Sequence, residues 1–120
     1  MSSSRFPRHV YEVGDEPDPR FTLANERTFL AWIRTALALV AAGIALEALA
    51  LPIQPDLRRT AALILLVLGL VVPVLAWLTW AAVERALRRG APLPGSRVAL
   101  PVVIGVSGTA GLLVLGVVTH

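Results

Sequence analysis

Three long stretches almost free of charge decide what this chain can become: Phe29 to Leu51, Thr60 to Val83 and Val98 to Thr119. Each exceeds 20 residues, and a helix of about 20 residues crosses a hydrocarbon core of about 30 Å. A soluble helix of that length would carry a polar stripe, and these carry almost none. The second and third stretches contain no ionisable side chain. The expected fold is therefore an all-α membrane protein, a three-transmembrane-helix bundle in the cell (inner or plasma) membrane.

The arginines orient it. All eleven basic residues are Arg, and none is Lys. Arg5, Arg8, Arg20, Arg27 and Arg34 precede or open the first span; Arg85, Arg88, Arg89 and Arg97 follow the second. Three spans put these two groups on one side, nine arginines in all, against Arg58 and Arg59 on the other. The positive-inside rule then predicts a cytoplasmic N-terminus and an external C-terminus. Trp32, Trp77 and Trp80 fit an aromatic belt on the cytoplasmic side. The high pI reflects charge beside membrane spans, so no nucleic-acid partner is expected.

Local chemistry sets the boundaries. Residues 1–17, with Pro7, Gly14 and Pro17, read as a flexible polar segment ahead of a membrane domain over 18–119. Five acidic residues in the first 28 and the lack of an apolar core there argue against a cleaved leader. Asp18-Pro19 is the expected N-cap of the first helix, with Thr22 competing, and Pro52 and Pro55 end it. The helices are predicted at about 20–51, 57–89 and 97–119. Pro73 should kink the second, and its end carries Glu84 and Arg88 at an i, i+4 spacing. Ser96 or Arg97 opens the third.

The most informative segment is Leu23-Ala24-Asn25-Glu26-Arg27-Thr28-Phe29-Leu30-Ala31-Trp32-Ile33-Arg34-Thr35. Arg27 and Arg34, seven residues apart, fall about 20° out of register and share one helix face with Ala31, Ala38, Ala41 and Ala45. Thr28 and Thr35 repeat the seven-residue step beside them. Arg34 lies about 7 Å inside the apolar run by helical rise, where an arginine must snorkel or find a partner. Arg27 and Arg34 are thus the candidate anion-binding residues, with Asn25, Glu26, Thr28 and Thr35 as the polar companions of the motif. Glu26 is either solvated or paired with an arginine of another helix. Glu47, near the opposite interface, is expected to snorkel or to contact Arg58 or Arg59.

Helix packing is expected along Gly105, Gly108 and Gly111 of the third span, since small residues let backbones approach closely in lipid. The chain has no cysteine, and His9 and His120 are isolated, so neither a metal nor another cofactor is expected. No nucleophile–base pair or phosphate loop is visible, and the chain is not expected to be an enzyme.

The run L-A-N-E-R-T-F-L-A-W-I-R-T resembles the signature of the YidH-like small membrane proteins, catalogued as domain of unknown function 202. The resemblance spans roughly Asp18 to Thr119, but only the first helix carries its specific motif. A similar membrane domain ends the vacuolar transporter chaperone proteins of eukaryotes. There, basic residues of the first transmembrane helix line a polyanion path in an oligomer. The resemblance carries that role to Arg27 and Arg34. It implies a homo- or hetero-oligomer handling phosphate, polyphosphate or lipid headgroups. The chain has no room for the polymerase or phosphate-sensing domains of those relatives, so their synthesis activity is not inherited. The alternative is a non-transporting scaffold or accessory subunit whose polar motif docks a partner protein.

Overall fold

A computed structural model describes residues 5–119; His120 lies outside the described residues, as do residues 1–4. The structure is all-helical, with a short α1 (Arg8–Tyr11) followed by three long helices, α2 (Pro19–Leu49), α3 (Pro55–Arg89) and α4 (Ala99–Val118). The three long helices are each apolar and long enough to cross a bilayer. In their most apolar windows only 17%, 39% and 11% of residues are buried inside the protein. Their hydrophobic side chains therefore face outward, toward lipid, and the chain is a multi-pass membrane protein.

Each helix starts and stops for a local reason. The Asp18 carboxylate accepts from the Arg20 N–H at 2.9 Å, with Pro19 at the first helical position. α2 ends where Ala50 turns left-handed, at φ 47°, ahead of Pro52. The Gln54 side chain accepts from the Leu57 N–H at 2.8 Å and opens α3, which runs unbroken through Pro73. Gly90, at φ 64°, closes it. The Ser96 hydroxyl accepts from the Val98 and Ala99 N–H groups at the mouth of α4.

α3 is the centre of the bundle. It packs against both α2 and α4, whose Cα atoms come nowhere within 8 Å of each other among the described residues. The α2–α3 contact follows a heptad seam, Asn25-Phe29-Trp32-Ala36-Leu39-Gly43-Leu46, alternating steps of four and three residues. Glycines bring the helices close. A Cβ on Gly43 would lie 3.0 Å from the Ala62 carbonyl oxygen, and one on Gly69 2.4 Å from a Val40 methyl. On α4 the expected glycine face divides. Gly105 packs on Leu68, but a Cβ on Gly108 or Gly111 would meet nothing within 4 Å. The packing role read for those two has no counterpart inside the protomer, because α4 turns that side away from α3.

The stretch before Asp18, expected to be flexible, is held against α3 over its described part. Arg88 reaches back to it: Nε donates to the Val13 carbonyl at 2.8 Å, one Nη to Tyr11 at 2.9 Å and the other to Glu16 at 2.7 Å. Arg5 also pairs with Glu16, and Arg85 donates to the His9 carbonyl. Gly14, at φ 57°, allows the Asp15 N–H to donate to the Arg88 carbonyl at 2.8 Å. The anticipated Glu84–Arg88 pair is therefore absent, since Arg88 turns toward the N-terminal segment and Glu84 toward α2.

Both arginines hold the Glu16 carboxyl below its ordinary value of 4.5. A depressed carboxylate stabilises the docked state above the unfolded pKa, and that contribution is lost as pH falls through the lower folded value. Protease protection of the 5–17 segment should thus be constant from neutral pH down to about 4.5 and decline below it. Glu16→Gln should remove that pH dependence. Limited proteolysis across pH provides the measurement.

Candidate functional site

The polar motif of α2 is divided between two sides of the helix. On the inner side, Asn25 occupies the seam against α3 and is buried. Its Nδ2 donates to the Trp80 carbonyl and to the Glu84 carboxylate, both at 3.1 Å. Two acceptors on one nitrogen fix which way the amide points. Thr22, one turn earlier, donates to the other Glu84 oxygen at 2.8 Å. Glu84 is fully buried, at 0% exposure, and makes no ion pair among the described residues. A carboxyl group out of water is tolerable only with its oxygens occupied, and the two α2 side chains occupy them.

This polar clasp lies beside an aromatic cluster. Trp77 and Trp80 sit 5.1 Å apart, Phe29 packs edge-on to Trp77 at 6.1 Å, and Phe6 stacks on Trp77 at 6.3 Å. The expected aromatic belt is thus only partly at the surface. Trp77 is 38% exposed, whereas Trp80 is 8% exposed and belongs to a small core with Val10 and Ala81.

On the outer side lie Arg27, Ala31, Arg34, Ala38 and Ala41, all exposed, with Ala45 half-buried. These residues make a second four-and-three seam, offset two positions from the inner one, or about 200° around the helix. Neither Arg27 nor Arg34 forms a hydrogen bond or ion pair with another group among the described residues. Glu26 is exposed and pairs with no arginine there. Glu47 is exposed too, and the contact anticipated with Arg58 or Arg59 is not formed: Arg58 donates to the Leu51 carbonyl at 2.9 Å instead. Thr28 and Thr35 face a third direction, into a groove along α2 with Trp32.

Sequence reasoning therefore identified the motif but missed its central partner. Glu84 falls one residue beyond the second apolar stretch, where the local spacing points to Arg88. The available signal was the spacing of Ala76, Trp80, Glu84 and Arg88, which puts Glu84 on the packed line of α3. Among the described residues no cluster of three metal-ligating side chains occurs.

Residues 20–86 match the family model described as domain of unknown function (DUF202). The matched stretch contains both halves of the clasp and both outer arginines. The chain is 46% identical over 104 residues to "Uncharacterized protein Rv2272" of Mycobacterium tuberculosis, covering 86% of this chain and 80% of the relative. It is 44% identical over 86 residues to "Inner membrane protein YidH" of Escherichia coli, covering 71% and 75%. No solved structure matches it. This chain belongs to the domain-of-unknown-function-202 family, that of YidH-like small membrane proteins.

Proposed function

We propose that the chain is the subunit of an oligomeric membrane assembly, oriented with its N-terminus in the cytoplasm, that handles an anion such as phosphate or polyphosphate along Arg27 and Arg34. The observation that carries this reading is the outer seam of α2. Two arginines stand on it with no partner among the described residues, on a ridge otherwise made of exposed or half-buried alanines. A small-residue ridge suits close helix approach between copies, and a charged group in an apolar span calls for a polar surrounding. Three helices cannot enclose a polar path, so the path must form between subunits. Rings of arginine are the usual lining of anion and phosphate pores.

The scaffold alternative, in which the polar motif docks a partner protein or locks the helices together, draws support from Asn25, which is used between α2 and α3, and keeps the exposed Glu26 for a partner.

Liposomes containing the purified protein and loaded with inorganic phosphate or short polyphosphate test the proposal. The expected result is protein-dependent efflux that Arg34→Ala reduces by about tenfold or more, with Arg27→Ala weaker because it sits nearer the interface. No efflux, or equal efflux from Arg34→Ala, overturns it.

A further inference from the structure

Since α2 and α4 each pack on α3 without their backbones meeting, a groove runs between them over α3 and the loop before α4. Its main chamber, about 410 Å³, is walled by apolar side chains such as Phe21, Trp32, Val83 and Leu93. A second hollow of about 270 Å³ continues it along α2 past Thr28 and Trp32 to Thr35. From Phe21 to Thr35 the groove follows about 21 Å of helix. No charged side chain lines either chamber.

Its polar groups gather at one end. The Asn25 amide spends its nitrogen on Trp80 and Glu84, and its Oδ1 has no partner among the described residues. The Thr79 Oγ1 is buried without a hydrogen bond. Thr28, one turn from Asn25, also lines the groove and makes no side-chain bond among the described residues. Unpaired polar groups in a dry wall cost free energy that a ligand bearing both donors and acceptors recovers. They lie at the height of the half-exposed Trp77, two residues from Thr79, the level tryptophans favour at a membrane interface.

We infer that this groove holds one ordered glycerolipid. Its ester and headgroup region bonds Asn25, Thr28 and Thr79, and one acyl chain lies along Trp32 to Thr35. An apolar helix from a second copy would cover the groove without supplying donors and acceptors to Asn25, Thr28 and Thr79. The chambers are instead of the size that takes a small molecule or chain. The main chamber is separate from the outer arginine seam, which the second hollow borders only at Ala31, and the site does not depend on anion transport.

The test uses the full chain in vesicles of phosphatidylethanolamine and phosphatidylglycerol. They carry a trace of phosphatidylethanolamine with a diazirine in one acyl chain. After illumination, labelled positions are mapped by mass spectrometry. Label should concentrate at residues 24–35 and 96–99. Thr28→Trp and Ala24→Leu, both at exposed positions, should each fill the groove and cut that label about tenfold. Thr79→Val, which keeps shape and loses the hydroxyl, should cut it about threefold. Val103→Trp, on the exposed side of α4, should leave it unchanged. Label spread evenly over all exposed apolar positions overturns the inference. So does equal labelling of wild type and both filling variants, or a wild-type groove shielded from label by another copy.

Discussion

Replacing Glu84 by leucine should destabilise the bundle by roughly 2–3 kcal/mol, while Glu84→Gln should cost about 1 kcal/mol or less. The difference follows from what surrounds the carboxyl. Thr22 and Asn25 both donate to it from α2, and Asn25 is buried. Leucine fits an apolar seam but leaves a buried amide with one partner fewer and a hydroxyl with none. Glutamine keeps the shape and one acceptor oxygen. Bonds between membrane helices are individually modest, which keeps the estimate below the sum expected for a water-soluble core. Thermal unfolding in detergent should show Glu84→Leu melting on the order of 5–10 °C below wild type, with Glu84→Gln close to it. Equal melting of all three would mean that the clasp contributes nothing.

The second large effect lies at a close approach of α2 and α3. At Gly69 even a Cβ would lie 2.4 Å from the Val40 side chain and 3.2 Å from the Ala36 carbonyl oxygen. Val40 can rotate, but a backbone carbonyl moves only with its helix. Gly69→Ile should therefore force α2 and α3 apart and cost about 3 kcal/mol or more. Gly108→Ala provides the contrast, since nothing lies within 4 Å of its added methyl. It should be neutral or stabilising by about 0.5–1 kcal/mol through helix propensity. Paired melting curves compare the two. A harmless Gly69→Ile would contradict the packing described.

These two sites mark the limit of what the sequence revealed. Apolar run length and the near-absence of charge were enough for three membrane helices, because a bilayer leaves a 20-residue apolar segment almost no other fold. Asp18-Pro19 opened α2 as expected, for capping is a local interaction readable from adjacent residues. Gly43 and Gly69 were not singled out, although both sit where α2 and α3 pack closely. An isolated glycine shows no period of its own, while the glycines of α4 do, and two of those face open space. Period alone does not say which side of a helix meets a neighbour.

The motif around Asn25 shows the same limit. Counting sevens from Arg27 found the outer seam. The inner seam, two residues out of phase, came into view only with Glu84 opposite Asn25. Glu84 and Arg88 were close in sequence, and a helical pair was the local expectation. Tertiary partners overrode it, with two donors from α2 for the one and two carbonyls with a carboxylate for the other.

The proposed division of α2 into a side that binds its own bundle and a side for other copies can be measured directly. The chain has no cysteine, so single cysteines report without background. Ala38→Cys on the outer seam and Val103→Cys on the exposed side of α4 would each be oxidised in native membranes and run on a non-reducing gel. The predicted result is a covalent dimer from Ala38→Cys and none from Val103→Cys. Monomer from Ala38→Cys, with dimer elsewhere or nowhere, would contradict an arginine seam shared between subunits.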